Sequence, residues 1–408
     1  MSFRLGFISL LLFVVSFVSC DSEPASPGVL PDVIEKGDTA RSTLLVYMMA
    51  ENSLSSYAAN DVNEIVEATS SVPRDCRLFV YTDDNGFPRL VQYFAMTDGG
   101  AGSSEYLPFS ADICSSDTST LGAVFDYILN DYPTQKLDLV LWSHGSGWLR
   151  APLNSAPSRS IGVDNGENSH SNSITSTIEI EELASLLERL PVRVGRIMFD
   201  ACFMQCVESA YALRHAAEWI IASPAEIPGD GALYSSLIPL FFDTDEPECI
   251  LDSYIESYCN EPAGAVMSAV CTQEMQNLAD VTFSYVIKYF NKDKKRSYAD
   301  VFSYLPGGKY NSNPAYPSFY DMNAVMKKYL TTSEYSHWRE VFEKAVIHVA
   351  TSSRWYSAIC KRVIEYDSAV GFGISLYLPQ NNSRNEVLNS DFRSTEWYSA
   401  AGWQTAGW

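Results

Sequence analysis

An α/β fold with a mostly parallel central sheet and helices on both faces is predicted by three features of this 408-residue sequence. Apolar runs rich in β-branched and aromatic residues alternate with stretches of helical period, the pattern of parallel strands joined by crossover helices. Two of those runs, Leu-Asp-Leu-Val-Leu-Trp ending at Trp142 and Arg-Ile-Met-Phe ending at Phe199, are nearly continuous, as strands buried on both faces are. Each is followed by a chemically reactive residue, His144 in one case and Cys202 in the other.

Strands are predicted over residues 43–49, 77–81, 90–95, 137–142, 196–199, 219–223, 265–270 and 373–378. Helices are predicted between them over 53–69, 120–131, 178–190, 205–215, 275–290 and 335–350. Thr177 stands where an N-cap belongs, ahead of Ile178, Glu179 and Ile180, and Leu183, Leu186, Leu187 and Leu190 then keep one apolar face for the core. The run Lys-Asp-Lys-Lys-Arg at 292–296 reads as a solvated turn closing a helix carboxyl end. Residues 151–176, rich in Ser, Asn, Gly and Pro without apolar period, read as a long exposed loop, a kind of segment that is functional or mobile and open to proteolysis. The aromatic-rich stretch 298–320 reads as core, and the return strand at 373–378 with Trp397, Trp403 and Trp408 ties residues 246–408 to the same core as 43–245.

Residues 1–19 have a basic start and an apolar segment of signal-peptide length, too short to span a membrane. They end in Phe-Val-Ser-Cys, which resembles a bacterial lipobox with Cys20 as the lipid-bearing residue; the remainder of 20–42 then reads as a flexible tether. The expected location is extracytoplasmic, held to a membrane by acyl chains and not by a helix. A net charge of −22 lacks the Lys and Arg concentration that phosphate binding needs and excludes nucleic acid as a partner. Peptides or proteins are the expected partners, and a monomer the expected state. Nine cysteines with scattered spacing form neither a disulfide framework nor a zinc site, so no metal is expected.

On adjacent strands, His144 and Cys202 would share one edge of the sheet, where open α/β folds bind ligands. A thiol is a poor nucleophile until a histidine takes its proton, and an oxyanion needs hydrogen-bond donors. The pair is therefore the minimum apparatus of a cysteine peptidase. Asp200, two residues before Cys202, falls on the same face by strand period and either orients the site or binds a cationic substrate side chain. Cys206 is a rival thiol, placed one helical turn further on in a buried position.

The blocks Trp-Ser-His-Gly-Ser-Gly-Trp at 142–148, Asp-Ala-Cys-Phe-Met at 200–204, and Pro-Gly-Asp-Gly at 228–231 followed by Tyr234 resemble the clostripain family of cysteine peptidases. The opening run at 45–54 and the late run at 373–379 extend that resemblance to roughly residues 43–400. It implies a caspase-like fold with His144 and Cys202 as the catalytic dyad and backbone N–H groups of Gly145 and Cys202 as the oxyanion hole. It also implies that Asp200 and Asp230 form an acidic pocket for arginine or lysine before the scissile bond, and that the 151–176 loop is cut during autoactivation, with Arg150 and Arg159 available. Ser-Pro-Ala-Glu-Ile at 223–227 departs from the more acidic run common there, which puts calcium dependence in doubt, so no cofactor is expected. Two other readings stand beside the peptidase: a non-catalytic surface lipoprotein that binds peptide or glycan, and a transpeptidase using the same thioester.

Overall fold

The computed structural model describes residues 35–84, 88–106, 113–150, 160–166, 176–259, 261–306 and 317–408. Residues 32–408 form one compact unit. Cys20, Arg159 and the segment assigned to signal peptide and anchor lie outside the described residues.

The chain runs β1 (Ser42–Met49), α1 (Ser55–Ala68), β2 (Cys76–Asp83), β3 (Arg89–Ala95), β4 (Ala101–Tyr106), α2 (Thr118–Asp131), β5 (Leu137–Trp142), β6 (Ile161–Asp164), β7 (Ser176–Ile178), α3 (Ile180–Leu187), β8 (Val194–Asp200), α4 (Val207–Ala212) and β9 (Ala217–Ala222). It continues through α5 (Tyr234–Asp243), α6 (Pro247–Glu256), β10 (Val266–Cys271), α7 (Met275–Tyr289), β11 (Ser303–Leu305), β12 (Phe319–Asp321), α8 (Met322–Tyr329), α9 (Thr332–Ala345), β13 (Val346–Thr351), β14 (Arg354–Ser357), β15 (Arg362–Glu365), β16 (Ser375–Leu376), α10 (Glu386–Arg393) and α11 (Glu396–Ala400). A nine-stranded sheet in the order β13-β10-β9-β8-β5-β1-β2-β3-β4 forms the middle layer. Its five inner strands are parallel, and the two strands at each edge are antiparallel to their neighbours.

The inner strands read as continuous apolar runs because both faces are covered. Along β1, Leu45, Tyr47 and Met49 join one core, which also takes in α2, α3, α7 and α9 residues. Leu44, Val46 and Met48 join the other, built with α1, α5 and α6. Trp397 and Trp403 are buried in the first core, and Trp408 Nε1 donates to Phe290 O at 2.6 Å. The basic turn closes α7 as expected, Lys294 Nζ and Arg296 Nε donating to the carbonyls of Lys288 and Tyr289 at 2.6 and 2.7 Å.

Several sequence expectations are corrected. The helix predicted over 335–350 stops at Ala345, because Val346-Ile-His-Val-Ala-Thr is β-branched and supplies the antiparallel partner of β10. Thr177 is not a helix cap: it lies in β7, and Glu179 occupies the cap of α3. The return strand is only Ser375–Leu376 and pairs with β12 in a small three-stranded sheet, not in the central one. The predicted tether ends early, since residues 35–41 dock on the core. The buried Arg77 guanidinium draws them in, donating to the carbonyls of Glu35, Asp38 and Pro133.

The 151–176 segment is also not wholly an exposed loop. Ser160, Ile161, Val163 and Asp164 are buried, and β6 pairs with β7. The alternation of Ile161 and Val163 is a short strand signal hidden in polar surroundings.

Candidate active site

β5 and β8 are parallel neighbours with Trp142 directly opposite Asp200. His144 and Cys202 each follow two residues later, so imidazole and thiol leave the sheet at the same level from adjacent strands. Between β1 and β5 the chain reverses its direction of travel across the sheet, the crossing point at which such sheets open a crevice. A pocket of about 580 Å³ lies there, and its lining includes His144, Gly145, Asp200 and Cys202.

On the histidine side, β6 clamps the loop. Ser146 N donates to Ser160 O at 2.9 Å and Gly162 N to His144 O at 3.0 Å. The Ser143 hydroxyl donates to Met49 O and accepts from Val163 N. Glycine at 145 has a steric reason: a Cβ there would lie 2.7 Å from Cys202 O and 2.9 Å from Met204 Sδ. His144 Nε2 is 2.9 Å from Ser53 Oγ, and burial lowers the imidazole pKa below its ordinary value, so the ring is neutral at pH 7.

On the cysteine side, the chain turns sharply after β8. Phe203 holds a positive φ of 62°, a conformation that costs a non-glycine residue on the order of 1–3 kcal/mol. Phe203 N to Ala225 O at 2.9 Å and stacking on Phe319 at 4.7 Å hold it there. Cys202 is half-buried, with Sγ 3.4 Å from Ile227 N. Burial pushes the thiol up to about 12, Glu226 and Asp200 adding to the shift and the Ile227 N–H opposing it. Both shifts favour a neutral thiol and a neutral imidazole over an ion pair. Cys206 is fully buried against Ser209, with its own thiol pushed up to about 12 by burial.

Asp200 is 3% exposed, and its carboxylate already has three donors. Ala232 N and Tyr234 OH reach Oδ2, both at 3.0 Å, and Tyr254 OH reaches Oδ1 at 3.2 Å. Burial raises its pKa and these donors oppose the rise. Asp230 is exposed; Gly229 and Gly231 on either side line the pocket, but Asp230 is not among the lining residues. Arg150 is tied to Glu181 at 3.3 Å and lies 4.0 Å from Glu179.

Sequence reasoning missed several residues that the fold brings to the site. Asn52, Ser53, Val163 and Asn165 line its histidine side. Glu226, Ala358 and Ile359 line another part of it, and the Glu226 carboxylate accepts from Ala358 N at 2.9 Å, Ile359 N at 3.1 Å and the Ser357 hydroxyl. These residues come from loops far apart in the chain, and no local pattern marks them.

Among the described residues one carboxylate group has cation-binding proximity: Glu51, Asp83 and Asp164, with ligand oxygens within 4.8 Å of one another. Oxygen donors suit a hard cation, but calcium takes six to eight of them. Asp164 already accepts from Ser115 N, Ser115 Oγ and Gly166 N.

A parallel α/β sheet with a thiol and an imidazole at neighbouring strand ends is the architecture of a caspase-like cysteine peptidase. The sequence matches the clostripain family over residues 46–408, and the chain belongs to that family. A secreted C11 cysteine protease from Bacteroides thetaiotaomicron, solved with an irreversible peptide inhibitor, is 27% identical with a TM-score of 0.76, over 90% of this chain and 100% of the other. An inactive zymogen C11 protease from Parabacteroides distasonis is also 27% identical, with a TM-score of 0.72, over 91% and 99%. A second secreted Bacteroides thetaiotaomicron C11 protease, iotapain, shares the fold at 16% identity and a TM-score of 0.73, over 89% and 99%. No curated protein matches the chain.

Proposed function

We propose that this cysteine peptidase is an extracytoplasmic, lipid-anchored endopeptidase that cleaves after arginine or lysine through Cys202 and His144. The observation that carries the reading is the level register of β5 and β8, which sets both residues over one pocket with Asp200 in its lining. Because both groups rest neutral, the thiol proton moves to His144 as sulfur attacks the scissile carbonyl. The backbone N–H groups of Gly145 and Cys202, which have no acceptor among the described residues, receive the oxyanion. His144 then protonates the leaving amine and assists water against the thioester. No cofactor is needed for these steps.

Three donors leave acceptor capacity on Asp200 Oδ1, enough for one charge-assisted bond to a guanidinium or ammonium. Asp230, at the rim, adds long-range attraction. Autoactivation by a cut after Arg150 or Arg159 would leave residues 160–166, whose Val163 and Asn165 line the pocket, in place. Secretion fits the description of two of its structural relatives, and anchoring follows from the lipobox-like Phe-Val-Ser-Cys ending at Cys20.

The test is a fluorogenic peptide panel on the mature protein with Cys202→Ala and His144→Ala alongside, products identified by mass. Cleavage after Arg and Lys, abolished in both variants, is expected. Cleavage after neutral or acidic residues would refute the specificity, and activity in either variant would refute the dyad. Transfer to an added amine in place of hydrolysis would favour the transpeptidase.

A further inference from the structure

A caspase-like dyad needs something to hold its imidazole, and here no carboxylate hydrogen-bonds to the His144 ring among the described residues. The ring's hydrogen-bond partner is a hydroxyl, Ser53 Oγ, 2.9 Å from Nε2. Ser53 sits in the turn between β1 and α1, and β1 is the sheet neighbour of β5, so this turn lies beside the histidine loop.

The turn is built to a fixed shape. Asn52, only 9% exposed, donates through Nδ2 to Met49 O at 2.9 Å and to Val163 O at 2.8 Å, and its Oδ1 accepts from Leu54 N at 2.9 Å. Ser55 N donates to Asn52 O, and α1 begins there. The carbonyl of Val163 belongs to β6, the strand that also clamps His144. One buried amide therefore ties the turn carrying Ser53 to the wall that carries the histidine.

We propose that Ser53 is the positioning residue for His144, its Oγ accepting the Nε2–H so that Nδ1 is left as the nitrogen that exchanges protons. The inference rests on the dyad reading above. The steps balance without any proton leaving Ser53. The Cys202 thiol gives its proton to Nδ1 as the carbon–sulfur bond forms, and Nδ1–H gives it to the amine as the carbon–nitrogen bond breaks. Water then gives Nδ1 a proton as it attacks the thioester, and this proton returns to sulfur. Nε2–H stays on Ser53 Oγ throughout, and that bond strengthens whenever the ring is cationic, which holds both the tautomer and the ring plane.

The experiment measures kcat and KM against pH for wild type, Ser53→Ala, Ser53→Thr and His144→Ala, on whichever peptide of the panel wild type turns over. Ser53 is exposed, so its replacement leaves folding intact. Ser53→Ala should lower kcat by about 10- to 100-fold, part of the roughly 10²–10⁴ that general acid–base catalysis contributes, with KM nearly unchanged. Its acid limb should move to lower pH, because the imidazolium loses its acceptor, and Ser53→Thr should restore both. If Ser53→Ala keeps the wild-type kcat and acid limb while His144→Ala is dead, Ser53 is idle and the inference falls with the dyad intact. An equal loss in Ser53→Ala and Ser53→Thr with an unmoved acid limb would also overturn it. Turnover by His144→Ala would overturn the dyad itself.

Discussion

The cysteine and the histidine leave the sheet at the same level, yet they are held by different means. Around Cys202 the backbone itself is the scaffold: Phe203 N and Gln205 N bond across to Ala225 O and Ser223 O, and Phe203 is locked in a left-handed turn. Around His144 the backbone is clamped through β6, but the ring is oriented by one exposed hydroxyl. Under the proposed dyad, the difference follows from what each group does. A nucleophile must hold one distance to the carbonyl carbon, whereas the base serves thiol, amine and water in turn and tolerates a softer mount.

The rigid side should break most severely. Phe203→Ala removes the stack on Phe319 while keeping a side chain at positive φ, and should cost about 3–5 kcal/mol of unfolding free energy in denaturant titration. Gly145→Ala presses a methyl against the Cys202 carbonyl and should cost about 1–3 kcal/mol and nearly all turnover, since the displaced backbone carries both proposed oxyanion donors. On the softer side, Asn52→Ala takes one donor from each of two buried carbonyls, Met49 O keeping the Ser143 hydroxyl, and should cost about 1–3 kcal/mol. Its kcat should fall at least as far as that of Ser53→Ala. A stability loss without that fall would mean that the turn does not position the base.

The two resting charges set a further contrast. The proposed dyad needs neutral His144, present above its pKa and lost as pH falls through it. Because burial lowers that pKa from 6.5, the acid limb of kcat/KM should have its midpoint below pH 6.5. With the thiol pushed up to about 12, no alkaline fall from Cys202 should appear below about pH 9, and iodoacetamide should alkylate it slowly at pH 7.

The last expected effect, on stability against pH, concerns Asp61, 2% exposed on α1 near Asp200. Burial and the neighbouring Asp200 and Glu64 raise its pKa from 3.8 to about 8. The folded protein then binds a proton that the unfolded chain has released, so stability is greatest below about pH 4 for this group and declines as pH rises toward 8. Asp61→Asn should flatten that decline and leave the protein about 1 kcal/mol or more stabler at pH 8, one pKa unit being worth about 1.4 kcal/mol. Unchanged pH dependence of the melting temperature would contradict this.

Much of the scaffold was legible because it is written in local patterns. The inner strands declare themselves by continuous apolar runs, and their shared ending in a reactive residue pointed to one edge. What was missed had conflicting or non-local signals. Val346–Thr351 continues a helical pattern until β10 requires an antiparallel partner. Ile161–Asp164 is four residues inside a polar segment, too short to register until it meets Gly145 and β7. Asp200 was legible as a carboxylate beside the thiol, but not its enclosure by Tyr234 and Tyr254, which reach it from α5 and α6.

By itself the sequence determined the layer order of the fold, the two strand ends that carry thiol and imidazole, and the family, because each depends on residue type at short spacing. Only the tertiary structure decided that the thiol rests protonated, that Asp200 arrives with three donors already attached, and that Ser53 meets His144. Burial and hydrogen bonding between segments 25 to 91 residues apart create those properties, and neither exists until the sheet brings its loops together.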